Sequence, residues 1–327
     1  MLFLNRQQVE VLLDLDKLID ALAPAMAELS AGAVSQPPRV AARVADVEGM
    51  LAAMPVYLPS AKVLSTKLVG VFPRNEQPLQ THQALVAVFD PGTGTPQAIM
   101  EGSSITRART AAGSALSTRL LARPEATVLL VIGTGAQARS HARVVPRVRH
   151  LGEVRIASRD MRKAERLAAE LAADLDASVR AVEMGKRAFE GADIVCATTH
   201  LTEPVVRGAW LEPGCHVTSI GFNRNGREVD DDAIRKALVV VESRDAVLAP
   251  HPSGSNDLTQ PIGEGVISEG HVHAEIGELV SGTRPGRTSA EQITLYKSVG
   301  VAVQDAVAAG LVLEAARQRG MGVEVEL

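Results

Sequence analysis

The sequence predicts an α/β chain in two parts: a doubly wound parallel sheet over residues 121–302, and an α+β domain over 1–120 rejoined by a C-terminal helix at 303–327. Three observations lead there. Beyond residue 127, short apolar runs alternate with helical periodicities. A glycine-bearing turn stands between the first of those runs and the helix after it. Between Arg39 and Met100 the period shortens to Val- and Leu-rich segments broken by turn residues.

In chain order, Leu18, Ile19, Leu22, Ala25, Met26 and Leu29 recur at helical spacing. They predict a helix from about Asp16 to Ser30, stopped by Gly32, with Pro24 kinking it or moving its start. Val40–Val47, Met50–Tyr57, Lys62–Val71 and Ala84–Phe89 read as antiparallel strands, and Asp90-Pro91-Gly92-Thr93-Gly94-Thr95-Pro96 as the turn into Gln97–Met100. Ser103 or Ser104 is expected to cap a helix over Ile105–Ala122, ended by Pro124. Strands follow at Thr127–Ile132, Val154–Ala157, Ile194–Ala197, Val217–Ile220 and Leu238–Val241, with helices at Ala136–Val148 and Arg162–Ala173. Such continuous apolar strands belong to a sheet covered on both faces. Pro250–Gly270 reads as loop and Ala290–Arg319 as a helix returning to the first domain.

Composition narrows the function. With 34 basic against 38 acidic residues the net charge is −4, and aromatics make up 2%, so neither a basic face nor a base-stacking platform for nucleic acid is expected. Apolar runs such as Thr127–Ile132 stop well short of a membrane span, and Met1–Arg6 does not read as a secretory signal. Cys196 and Cys215 form no CxxC pair, which fits a reducing, cytoplasmic setting. His251, His271 and His273 have no spaced cysteine or carboxylate partners, so no metal is expected.

The strongest single motif is Val128-Leu129-Leu130-Val131-Ile132 followed by Gly133-Thr134-Gly135-Ala136-Gln137-Ala138. It has the form strand, GxGxxA, helix. Gly133 allows the tight turn, Gly135 admits a pyrophosphate close to the backbone, and Ala138 lets helix and strand pack closely. This is the dinucleotide fingerprint of a Rossmann sheet. The second strand ends in Ser158-Arg159-Asp160. A serine and an arginine there suit a 2′-phosphate, so NADPH is expected in preference to NADH. Asp160 reads as the N-cap of the next helix.

In the first domain, Lys67 alternates with apolar neighbours in Leu64-Ser65-Thr66-Lys67-Leu68-Val69 and is a candidate for a cavity-facing charge. Arg39, Arg109 and Thr81 stand in Gln36-Pro37-Pro38-Arg39, Arg107-Ala108-Arg109-Thr110 and Thr81-His82-Gln83-Ala84. Taken singly, Lys67 fits an edge strand and the arginines wet faces. His82, beside Thr81, is a candidate for a pocket rim.

Taken together with Met54-Pro55, Phe72-Pro73, Ser298-Val299-Gly300 and Arg319-Gly320-Met321-Gly322, these segments resemble the ornithine cyclodeaminase/mu-crystallin family along nearly the whole chain. The resemblance implies a homodimer, with the first domain for substrate and dimer contacts and the Rossmann domain for the nicotinamide. It implies an oxidoreductase acting on amino-acid carbon–nitrogen bonds. Arg39, Lys67 and Arg109 would hold the substrate carboxylate, with Lys67 also a proton donor and Thr81 lining the pocket. Arg109 and Thr110 would touch cofactor phosphates, and Thr198, Gly221 and Ser298 would border the nicotinamide.

One departure matters. Cyclodeaminases carry an Asp where this chain has Asn223, in a loop here one residue shorter. Oxidising an amino acid needs a base to strip the ammonium, and Asn does not titrate. The change points to NADPH-dependent reduction of a small anionic imino acid, such as Δ1-pyrroline-2-carboxylate or Δ1-piperideine-2-carboxylate. Cyclodeaminase or alanine dehydrogenase activity remains the alternative if Glu228 or Asp230 swings in as base, and a non-catalytic NADPH-dependent binder is the second.

Overall fold

Asn5 caps the first helix, and from there the chain lays down a mostly antiparallel sheet before turning to parallel strands. The computed structural model describes residues 1–76, 78–221, 225–250 and 253–326. The first elements are β1 (Leu2–Leu4), α1 (Arg6–Leu12), α2 (Leu15–Ser30), β2 (Val40–Val44), β3 (Gly49–Leu58), β4 (Val63–Val71), β5 (His82–Phe89), β6 (Pro96–Glu101) and α3 (Gly102–Leu121). The middle of the chain gives β7 (Val128–Ile132), α4 (Ala136–Val144), β8 (Glu153–Ser158), α5 (Met161–Ala172), β9 (Ser178–Glu183), α6 (Lys186–Phe189), β10 (Ile194–Ala197) and β11 (His216–Ser219). It closes with α7 (Asp231–Lys236), β12 (Leu238–Val241), α8 (Arg244–Val247), α9 (Asn256–Gly263), β13 (Val272–Glu275), α10 (Ile276–Val280), β14 (Thr294–Lys297), α11 (Ala302–Arg319) and β15 (Val323–Glu324).

These elements form two units, Met1–Arg109 with Val301–Leu327, and Thr110–Gly300. The first holds a sheet of order β15-β1-β6-β5-β4-β3-β2. Strands β2 to β6 are antiparallel neighbours, whereas β1 pairs parallel with β6. Register sets Met54, Lys67, Val86 and Met100 side by side on one face, all buried. Helix α11 packs on that face against β3 and β4, and on α2. The opposite face carries Leu51 and Leu85, which are exposed.

Helix α2 starts at Leu15, where Asp14 accepts hydrogen bonds from the backbone N–H of Asp16 and Lys17, and it runs on through Pro24. The proline does not move the start because it sits on the exposed side, while Leu18, Ile19, Leu22, Ala25 and Met26 keep their stripe buried. The cap of α3 also differs from expectation. Glu101 accepts from the N–H of Ser103 and Ser104 at 2.9 Å each, so both serines lie inside the helix. Gly102 starts the helix there because a Cβ would meet the Ala84 backbone at 2.9 Å.

The second unit holds an eight-stranded sheet, β13-β12-β14-β11-β10-β7-β8-β9, with every pair parallel. Leu130, Ile132, Val195 and Val217 feed one core, and Leu129, Val131, Val154, Ile156 and Cys196 the other. Two expectations fail here. Residues 290–319 are not one helix: Thr294–Lys297 is an inner strand, Gly300 turns the chain at φ +84°, and the helix begins at Ala302. Pro250–Gly270 is not all loop, because α9 occupies Asn256–Gly263. Both cysteines are buried and free, and burial pushes their thiols up to about 12, so neither is a nucleophile.

Two histidines in this unit are fully buried. His141 donates from Nδ1 to the Gln137 carbonyl (2.8 Å) and faces Ser114 Oγ with Nε2 (2.9 Å). His216 faces Thr294 Oγ1 (2.9 Å) and Ser117 Oγ (3.3 Å). Burial pulls His141 down to about 4 and, with the charges of Arg287 and Arg149, His216 down to about 3. In the unfolded chain both titrate near 6.5, so the unfolded state binds more protons as pH falls below that value. Stability is therefore expected to drop below pH ~6.5, by about 2 kcal/mol per histidine at about pH 5. Thermal unfolding followed between about pH 7.5 and pH 5 checks this. A level Tm across that window would contradict it.

Candidate active site

Strand alternation turns Lys67 inward beside Ser65, into the space beneath α11. Gly310 lets the helix come close, since a Cβ there would stand 2.9 Å from a Val63 methyl. One turn and a half earlier on the same helix, Asp305 meets Lys67 Nζ at 2.8 Å and Arg109 Nε at 3.0 Å. Arg109 Nη1 also donates to Gln304 Oε1 at 2.8 Å. All four side chains are buried. The Gln36 side chain ties the segment leading to Arg39 onto the start of α11, accepting from Val303 N–H at 2.8 Å.

The electrostatics are those of a buried cation with a counter-ion. Lys67 is lowered to about 8, mostly by burial and also by the charges of Arg109 and Arg39, against the opposing pull of Asp305. Burial opposes ionisation of Asp305, but the charges and hydrogen bonds of Arg109 and Lys67 prevail and hold its carboxyl below the usual range. Lys67 and Arg109 thus share one carboxylate, with the charge of Arg39 also acting on Lys67, and the surplus positive charge suits a small anion. Thr81 stands apart from this buried cluster. It is exposed one residue before β5, with its hydroxyl on His82 Nδ1 at 3.1 Å.

In the second unit the fingerprint loop has the geometry its sequence requires. Gly133 adopts φ +121°, and a Cβ there would lie 2.8 Å from Thr198 Oγ1. Gly135 is extended at the start of α4, has open space where a Cβ would be, and puts no side chain on the N–H groups of the first turn. Beside it Gln137 Oε1 is buried without a hydrogen-bond partner, and Ala136 is exposed. The open space at Gly135 and the first-turn N–H groups of α4 that no side chain caps fit a dinucleotide pyrophosphate, whereas the Gln137 oxygen, an acceptor, does not contribute to that fit. At the tip of β8, Arg159 is exposed, whereas Asp160 is engaged as the cap of α5, accepting from Arg162 and Lys163 N–H, and Ser158 Oγ accepts from Asp160 N–H.

Thr198 follows β10 and donates from Oγ1 to the Ile132 carbonyl (2.8 Å). Gly221 follows β11, and Ser298 follows β14, with its hydroxyl on Glu242 at 2.9 Å. All three therefore stand at the carboxyl edge of the parallel sheet, the edge where such folds bind ligands. Thr110 is buried on α3 next to Arg109. Asn223 and His251 lie outside the described residues. His271 and His273 each face a backbone carbonyl, of Ile234 and Pro285, and no metal-binding group of three occurs among the described residues.

Neither carboxylate considered as a substitute base is free. Glu228 is buried and accepts from four donors, and Asp230 caps α7, accepting from Ala233 N–H (2.8 Å) and Gly208 N–H (2.9 Å). Sequence reasoning missed Asp305, Gln304, Glu242 and Lys297, and considered Glu228 only as a substitute base. A signal existed for the first two: Gln304-Asp305 is a polar pair inside the apolar run Val301–Ala309.

The profile of the ornithine cyclodeaminase/mu-crystallin family matches residues 1–320. The ketimine reductase mu-crystallin of Macropus fuliginosus is 37% identical over 321 residues, covering 95% of this chain and 96% of that protein. The structure of Thermococcus litoralis Δ1-pyrroline-2-carboxylate reductase in complex with NADH and L-proline is similar at TM-score 0.95 and 37% identity, covering 99% of this chain and 100% of that one. An archaeal alanine dehydrogenase dimer with bound NAD is similar at TM-score 0.90 and 29% identity, covering 100% of this chain and 99% of that one.

Proposed function

The chain belongs to the ornithine cyclodeaminase/mu-crystallin family, and on that premise we propose that it reduces the C=N bond of small imino acids with a nicotinamide coenzyme. The observation that carries the reading is the buried Lys67–Asp305–Arg109 cluster with the charge of Arg39 acting on it. Bound NAD(P)H supplies the hydride, and the residues of the fingerprint loop and of the sheet's carboxyl edge are those that would hold it.

Arg39, Arg109 and Lys67 take the substrate carboxylate, with the surplus positive charge as the driving force. The same charge repels an iminium, so the bound form is the imine carboxylate with its nitrogen unprotonated. As the C=N carbon gains a hydride, the nitrogen takes a proton from Lys67 Nζ, and solvent later restores it. A lysine lowered to about 8 is a far better acid at neutral pH than an ordinary ammonium. Below about pH 8 amino-acid oxidation is disfavoured, because Lys67 is then protonated, Glu228 and Asp230 are committed to loop and helix contacts, and Asn223 does not titrate.

The exposed Arg159 and the engaged Asp160 support NADPH over NADH. The apolar outer face of the first sheet, with Leu51 and Leu85 exposed, supports a homodimer that covers it, as does the dimeric relative. Coenzyme consumption against a panel of 2-imino acids, made from 2-oxo acids and amines, tests the reading. Turnover of Δ1-pyrroline-2-carboxylate or its six-membered homologue, faster with NADPH, is expected. Ornithine converted to proline and ammonia with no net coenzyme loss would assign the chain to the cyclodeaminases instead, and no turnover despite tight coenzyme binding would make it a binder.

A further inference from the structure

A fully buried ion network underlies the carboxyl edge of the second unit's sheet. Lys297, the last residue of β14, gives its three protons to Asp257 Oδ2 (2.7 Å), Ser219 Oγ (3.0 Å) and the Gly221 carbonyl (2.8 Å). Ser219 passes its own proton to Glu228 Oε2 (2.8 Å), which also accepts from Gly221 N–H (2.7 Å). The other oxygen, Oε1, accepts from Thr199 N–H (2.6 Å) and Thr199 Oγ1 (2.8 Å). Asp257 closes the network from behind, its Oδ1 accepting from the N–H of Glu228 (2.7 Å) and Val229 (2.9 Å).

One carboxylate therefore joins the segment after β10 to the segment after β11, and both polar atoms of Gly221 are fixed, its N–H by Glu228 and its carbonyl by Lys297. Glycine is required at 221, since a Cβ would collide with the Glu228 carboxyl. Burying two carboxylates and a lysine for structure alone is a poor use of charge, because a well-packed apolar cluster stabilises as much. What the charges add is a fixed backbone geometry at that edge.

We propose that Glu228, with Lys297 behind it, is a positioning residue that fixes Gly221 and Thr199 where the nicotinamide half of the coenzyme docks. The assignment of that half to this edge rests on the reading above. The adenosine half lies with the fingerprint loop and Arg159, which the network does not touch, so the two halves should respond differently to its loss.

Glu228→Gln is nearly isosteric and breaks the network in either orientation of the amide, because its NH2 then faces a backbone N–H, of Gly221 or of Thr199. The experiment measures Kd for NADPH and for its 2′-phospho-ADP-ribose fragment by calorimetry in the full-length protein. It also measures the primary deuterium isotope effect with coenzyme labelled at nicotinamide C4. Expected are a loss of about tenfold for NADPH, a fragment affinity held within about twofold, and a changed isotope effect. Ser219→Ala removes only the relaying hydroxyl and should give a smaller loss of the same pattern; it carries the test if Glu228→Gln fails to fold. Equal losses for NADPH and fragment, or no loss in either, would overturn the proposal. Binding decides it even if the wild-type protein reduces no imine, which would count against the functional reading alone.

Discussion

Lys67→Met is expected to lower kcat for imine reduction by about 10²–10⁴-fold, the usual worth of a positioned general acid, while NADPH binding stays within about twofold. The change removes a proton donor and one of the three cations but leaves Asp305 with Arg109, whose 3.0 Å contact does not involve Lys67. The buried carboxylate is thus not orphaned, and Met fills most of the lysine stem's volume. In the wild-type enzyme the same lysine sets the pH dependence. Reduction needs it protonated, so kcat/KM should fall as pH rises through about 8. Oxidation of the product amine needs it neutral and should rise through the same range. Steady-state rates in both directions between about pH 6 and pH 10 give both limbs. A Lys67→Met enzyme with undiminished kcat would falsify the proton-donor role.

The parts of this site that were legible in the sequence are those that break a local pattern. Lys67 interrupts a Val- and Leu-rich strand, which makes it a candidate for a cavity-facing charge, although taken singly it also fits an edge strand. Gly133 stands where φ +121° and the Thr198 hydroxyl leave room only for glycine, and Gly135 where a side chain would fill the space open at the start of α4. What stayed hidden depends on partners distant in sequence. Nothing near Lys67 announces that its counter-ion lies on α11, more than two hundred residues away, and Glu228 looks like any loop carboxylate until β10 and β11 are laid side by side. The missed strand β14 has a related cause. Residues buried on both faces show no period, so Thr294–Lys297 merges in sequence with the apolar helix that follows. Helix α9 escaped because its start, Ser255-Asn256-Asp257, has the chemistry of a turn, and only the structure shows Asp257 buried on Lys297.

Asp305→Asn should have a different signature from Lys67→Met, and the contrast separates positioning from catalysis. Without the carboxylate, Lys67 and Arg109 stay buried without the counter-charge they shared, Arg109 keeping its hydrogen bond to Gln304, a loss that typically costs about 3–5 kcal/mol. Lys67 relieves part of that by releasing its proton, so its pKa falls below the present value of about 8. The upper limb of the reduction profile then moves to lower pH, and kcat at neutral pH drops by about tenfold or more. KM for the imino acid should rise little, because Arg39 and Arg109 keep their charge for the substrate carboxylate. Lys67→Met made in the same chain removes the repulsion between the two cations. The double variant should therefore unfold at a higher temperature than Asp305→Asn alone while remaining inactive, a coupling that a double-mutant cycle measures directly. If instead the destabilisations simply add, the 2.8 Å contact between Lys67 and Asp305 contributes nothing to the fold, and the lysine must owe its protonation at neutral pH to some other group.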